Sequence, residues 1–247
     1  MGKNFREYPE LVGMDTTYCV NKNQMPLVVF RVTDCHGQGK PAGYCFVASK
    51  KIDIMRKSVM TFKQANADSI ELVQTIVVDK DYNEVTVLKE LLPSVHIHLC
   101  SVHVLEAFKR NSKDEVNKDK IREVLQNIVY ALTHRKYMEY LEELKDEASP
   151  TFMEYFNKYW AEYGTAWSCY ERLNSLNLGQ RTNNSVESHN KNIKSLMSKR
   201  SSLVELVKGL LVLQDSSDAV TNYKDFLGIM KMSYRTDTAE TLMSKRF

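Results

Sequence analysis

The chain changes its hydrophobic rhythm once, near residue 50, and that change constrains its fold more than any other feature. Before it stand "LVGMDTTYCV", "MPLVVFRVT" and "YCFVAS", runs rich in β-branched and aromatic residues. They are separated by the polar "NKNQ" and by "DCHGQGKPAG", which holds Gly37, Gly39 and Pro41. Such runs between turn-forming breaks read as three strands with short connections, an antiparallel meander. After the change, helix and strand alternate. "IDIMRKSVMTFKQAN" sets Ile54, Val59 and Phe62 at helical spacing, and "QTIVVD" reads as a strand. "NEVTVLKELLP" is a helix stopped by Pro93, "SVHIHLC" is another strand, and a further helix opens in "SVHVLEAFKR". The order βββαβαβα predicts an α/β fold on a mixed five-stranded sheet, with the meander on one side and parallel crossovers on the other.

From Asn111 to about Arg172 no strand signal survives. "DEVNKDKIREVLQNIVYALTH" is amphipathic, with Ile121, Leu125, Ile128 and Leu132 on one stripe. "SPTFMEYFNKYWAEYGTAW" opens with Ser149 and Pro150 at N-cap and N1 spacing. Within it Tyr155, Tyr159, Tyr163 and Trp167 recur every fourth residue, beside Phe152, Phe156 and Trp160. The expected role is a core stripe that includes Tyr159 and Tyr163. The competing role is a platform for unpaired bases, with Trp160 or Trp167 exposed. The polar loop "NSLNLGQRTNN" leads into two more helices. The expected organisation is a core over 1–110, an all-helical insertion over 111–181, returning helices over 182–222 and a helical extension over 223–247.

Composition narrows the partners. Hydrophobic residues make up 43%, charged residues 26%, and the net charge is +3, so any nucleic-acid surface must be local. Five scattered cysteines without a C-x-x-C pair argue against a disulfide framework and for a reducing compartment. "MGKNFREYPELVG" lacks an apolar signal core, and no run approaches the ~18 apolar residues of a membrane helix. A soluble, intracellular protein with no membrane partner is expected.

The acids carry the chemistry. In a sheet of this order the first strand is central and the fourth lies parallel beside it. Asp15 in "GMDTTY" and Asp79 closing "TIVVD" then fall on neighbouring strands near their C-terminal ends, where open α/β sheets bind ligands. Two adjacent carboxylates repel, and Mg²⁺ relieves this by binding through one or two of them. Asp81 is placed to cap the following helix, which leaves Asp79 free; Asp34 and Asp53 are also expected outside the site. Glu187 is the candidate third acid. With Asn184 as N-cap it equally fits the N3 position of a capping box, and its spacing alone does not decide.

Four segments, "DTTYCVNKNQMPL", "VVDKDYNEVTVLKELLP", "LCSVHVLEAFKR" and "RTNNSVESHNKNIK", resemble the Mutator-like element (MULE) transposases. The nearest likeness is to the RNase H-like domain of animal SWIM-type zinc-finger proteins. The resemblance spans roughly residues 8–200. It implies an RNase H-like fold with a helical insertion and a metal-binding triad of Asp15, Asp79 and Glu187, loaded with Mg²⁺ or Mn²⁺ for phosphoryl transfer on DNA. Cys100 and His103 match the family's C-x2-H motif. A structural zinc needs four ligands and no second Cys/His pair stands at zinc spacing, so a role in supporting the acids is expected over a zinc site, with a buried Cys and a hydrogen-bonded His the equal alternative. Asn183 and Asn184 fit a helix cap first, and by the family motif they and Asn190 would also support the acids. Lys191, Lys194, Lys199 and Arg200 follow on the Glu187 helix at spacing that suits phosphate contacts; a solvated face is the equal alternative. The resemblance leaves open a catalytically silent DNA-binding or ubiquitin-ligase adaptor, a nuclease without strand transfer, and a homo-oligomer. It implies a nuclear location. The family's N-terminal zinc finger and C-terminal SWIM signature do not occur in this sequence.

Overall fold

The computed structural model describes residues 2–17, 22–170, 172, 175–176, 184–196 and 201–244; within the helices it leaves out the side chains of Glu162, Thr165, Asn184, Ser185, Glu187, Leu196, Thr221, Asp225 and residues beyond Leu227. The sheet comprises β1 (Leu11–Thr17), β2 (Leu27–Thr33), β3 (Gly39–Phe46), β4 (Thr75–Val78) and β5 (His96–Leu99). Their order across the sheet is β3-β2-β1-β4-β5. β1, β2 and β3 pair antiparallel, whereas β4 runs parallel to β1 and β5 parallel to β4. This is the expected mixed sheet with β1 at its centre.

Alternation along the strands splits the core into two layers. Val12, Met14, Val28 and Phe30 face one side, where they join residues of α2 (Ile52–Ala65), α3 (Tyr82–Leu91) and α4 (Ser101–Asn111). Leu27 and Val29 face the other side and are covered by Val186 and Ile193 of α9 (Asn184–Leu196) and by Leu206 and Leu210 of α10 (Leu203–Ser244). Gly43 on β3 permits one close approach. A Cβ there would lie 3.1 Å from the ring of Phe62, which stacks on Phe30 at 4.0 Å between centroids.

The insertion folds as α5 (Lys118–Tyr130), α6 (His134–Glu147), α7 (Pro150–Tyr159), a 3₁₀ turn and α8 (Gly164–Trp167). Ser149 caps α7 by accepting the Phe152 N–H, with Pro150 in the first turn. Phe108 of α4 packs edge-on or tilted against Phe156, Trp160 and Trp167, which joins the insertion to the core of the sheet.

Several expectations need correction. Tyr159 and Tyr163 are 46% and 40% exposed, whereas Trp160 and Trp167 are fully buried, so neither the core role of these two tyrosines nor an exposed tryptophan holds. The cause is a break: α7 ends at Tyr159 and the chain turns through residues 161–163 before α8, so every-fourth spacing does not follow one helix face. Leu132 is 52% exposed because α5 stops at Tyr130, before the stripe reaches it. A short helix, α1 (Gly2–Glu7), precedes the meander and buries Phe5; it was not anticipated. β3 starts at Gly39 rather than after the glycines, because a tight turn closes at once: Asp34 Oδ1 accepts the N–H groups of His36 and Gln38, and Gly37 takes φ 71°. α10 continues past residue 223 without interruption. No helix among the described residues is long and apolar enough to cross a membrane.

Candidate metal centre at the strand ends

Register determines which groups meet. Gly13 pairs with Val77, so two residues further along, Asp15 on β1 is level with Asp79, the first residue past β4. Val78 pairs with Leu99, so Asp79 is in turn level with Cys100, the first residue past β5. Asp15, Asp79 and Cys100 thus form a row along the C-terminal edge of the three parallel strands β1, β4 and β5, where this class of sheet places its ligands. Asp81 is taken up as the N-cap of α3, accepting from the N–H groups of Asn83 and Glu84, which separates its role from that of Asp79. Asp34 closes its turn and Asp53 pairs with Arg56 on an exposed surface, both away from this edge.

Asp15 is held from the far layer. Asn190 of α9 donates its side-chain N–H to Oδ2 of Asp15. Burial, and then the charge of Asp79, push the Asp15 carboxyl up to about 6. Such a pair of crowded carboxylates fits a hard divalent cation, which needs one or two acidic oxygens and keeps its waters. His103, one turn into α4, places Nδ1 2.7 Å from Oδ1 of Asp79, and that carboxylate together with Cys100 holds the imidazole well above its usual value. Asp15, Asp79, His103, Asn190, Lys191 and Lys194 line one cleft of about 300 Å³.

Glu187, the candidate third acid, lies on α9, three residues before Asn190; its side chain is outside the described residues. Lys191 and Lys194 are exposed at the cleft. Asn183, Lys199 and Arg200 lie outside the described residues, as does the side chain of Asn184.

Three features were not anticipated from the sequence. Glu84 is 1% exposed and accepts a hydrogen bond of 2.7 Å from the Thr16 hydroxyl, while burial pushes its carboxyl up to about 7. Lys50 lies between Asp81 and Glu84, at 3.5 and 3.6 Å. The Asp-x-x-Glu spacing at 81–84 reads as an ordinary helix start, and nothing local marks Glu84 as buried. His189 stacks on Tyr44 and meets its hydroxyl at 2.5 Å through Nε2, with burial lowering its imidazole to about 3. This neutral pair fixes α9 on β3. His98 on β5 is buried and bonded to the Ser175 hydroxyl at 2.8 Å.

A second cleft adjoins the first across Asp79 and His103 and runs to Arg110, Tyr155, Tyr159 and Trp160. Lys80 crosses it, with Nζ 3.3 Å from the centroid of the Trp160 ring and donating to the Tyr159 carbonyl at 2.7 Å. Burial lowers its ammonium to about 8.

Residues 1–98 match the family model described as "Zinc finger SWIM domain-containing protein 1/3, RNaseH-like domain". The match ends within β5 and so covers nearly the whole sheet. With that match and the strand order above, the fold is RNase H-like, and its sheet is similar to that of the SWIM zinc-finger proteins. No curated protein matches the chain.

Proposed function

We propose that this is a transposase-derived domain of MULE descent that acts in the nucleus and carries out divalent-metal-dependent phosphoryl transfer on DNA. The observation that carries the reading is the juxtaposition of Asp15 and Asp79 on adjacent central strands, at a cleft bordered by Lys191 and Lys194. Asp15, Asp79 and Glu187 would hold Mg²⁺ or Mn²⁺, which when bound activates the attacking oxygen and stabilises the leaving one. The chain's own groups do the rest. Asn190 fixes the Asp15 carboxylate in one orientation. His103, with Nδ1 2.7 Å from Oδ1 of Asp79, positions that carboxylate at the cleft. Lys191 and Lys194 contact backbone phosphates, which positions DNA without reading its sequence.

The test is cleavage of duplex and single-stranded DNA in Mg²⁺ or Mn²⁺ by the parent, Asp15→Asn and Asp79→Asn. The parent should cut, and each variant should fall by at least about a hundredfold, as loss of a group stabilising transition-state charge does. Cutting that survives both substitutions would overturn the reading. A silent adaptor, binding DNA or ubiquitin-ligase components, is favoured by one observation: Asp79 has a close contact to His103, at 2.7 Å, that involves no metal. That reading predicts DNA or protein binding with no cleavage by the parent.

A further inference from the structure

The geometry points to a second, thiolate-containing metal site made by Asp79, Cys100 and His103, suited to a zinc-class ion rather than to Mg²⁺. The register of β4 with β5 brings Asp79 level with Cys100, and the Cys100 N–H donates to the Val78 carbonyl at 2.8 Å, which locks the two strand ends together. Cys100 is the N-cap of α4 and His103 follows one helical turn later, so both belong to the same side of that helix. One carboxylate oxygen, the thiol sulfur and one imidazole nitrogen lie within 4.8 Å of one another. Tetrahedral zinc bonds of roughly 2.0–2.3 Å set ligand atoms roughly 3.3–3.8 Å apart, so only a small contraction is needed, with the His103–Asp79 contact opening slightly.

The donor set selects the ion. A thiolate and an imidazole favour borderline and softer cations, whereas Mg²⁺ and Ca²⁺ take oxygen alone. Cys100 is fully buried, while Asp79 and His103 have side chains 26% and 31% exposed. The site is therefore closed on the sulfur side and open toward the cleft. Three protein ligands with the fourth position facing solvent is the arrangement of zinc sites that bind a water or a substrate oxygen. Loading releases the thiol proton and the imidazole proton to solvent. The ion would share Asp79 with the carboxylate pair described above, but its binding does not depend on phosphoryl transfer.

Cobalt(II) is the probe, added without oxygen to the full chain. The parent should develop thiolate-to-cobalt charge-transfer absorption and intense four-coordinate visible bands, displaced by equimolar Zn²⁺ and unaffected by millimolar Mg²⁺. Asp15→Asn should keep both features, which separates this site from the catalytic reading: cobalt binding can persist where DNA cleavage is lost or was never present. Cys100→Ser should abolish the charge-transfer band. His103→Gln, at a partly exposed position that should leave folding intact, should weaken cobalt binding about tenfold or more. A parent without the band, a band that survives Cys100→Ser, or unchanged affinity in His103→Gln would each overturn the site.

Discussion

Asp15 and Thr16 are consecutive on β1, and strand alternation sends them to opposite layers: Asp15 meets Asn190 of α9, and Thr16 meets Glu84 of α3. The C-terminal end of β1 is therefore held from both faces of the sheet, one contact through a carboxylate and one through a hydroxyl. Glu84 gives this clamp a pH dependence. Its carboxyl is raised from its ordinary 4.5 to about 7, so between those values the native state binds more protons than the unfolded chain, and stability falls as pH rises through that window. Asp15, raised from 3.8 to about 6, acts in the same direction somewhat lower. Glu84→Gln keeps an acceptor for Thr16 and removes the charge. Melting followed from pH 5 to 8 should therefore be flatter for the variant, with a gain on the order of 2–3 kcal/mol at pH 8; a slope equal to the parent's would show that Glu84 is not the titrating group. Asp79 was legible in the sequence because an apolar strand ending on an acid is unusual and Asp81 supplied a separate cap. Glu84 was not, because its burial depends on a hydroxyl 68 positions away.

At the scale of elements, the sheet and its crossovers were readable because each strand and helix announces its period locally and its stops are chemical: Pro93 after α3, Ser149 and Pro150 before α7. The aromatic segment was misread because periodicity assumes an unbroken helix. Once the chain turns after Tyr159, the residues that fill the core are Phe152, Phe156, Trp160 and Trp167. Substitutions should follow burial rather than spacing. Phe156→Ala should cost about 3–5 kcal/mol, as large-to-small changes in a core do. Tyr163→Ala should stay within about 0.5 kcal/mol, as exposed positions do. Denaturant melts compare them directly, and a Tyr163→Ala loss as large as that of Phe156→Ala would restore the core role to the exposed tyrosines. Glu187 was a candidate that spacing alone left even with a capping box, and what the fold adds is its helix, which Asn190, Tyr44 and His189 anchor to the sheet.

For the whole molecule, the two layers differ in how much of the chain they need. One face of the sheet is covered by helices that follow directly in sequence, the other by α9 and the first turns of α10, where Leu206 and Leu210 close over Leu27 and Val29. Farther along α10, Lys40 donates to the Ser217 carbonyl at 2.5 Å, and beyond it Val220, Tyr223, Phe226 and Leu227 are exposed. A chain ended at Asn222 should melt like the parent. One ended at Ser202 loses two buried leucines at roughly 1.5–3 kcal/mol each and uncovers the sheet, so it should melt far lower or fail to fold; equal melting of the two would mean that α10 contributes nothing to the core. The contact between Asn190 and Asp15 spans 175 positions of sequence, and a ribosome adds roughly 5–20 residues per second, so roughly 9–35 s separate the synthesis of its two ends. For that interval the nascent protein presents an uncovered apolar sheet face and a bare Asp15, a form that invites chaperone binding. Asp79, Cys100 and His103 have by then all been made, so under the proposed assignments a zinc-class ion would reach the strand ends before the helix that carries Glu187.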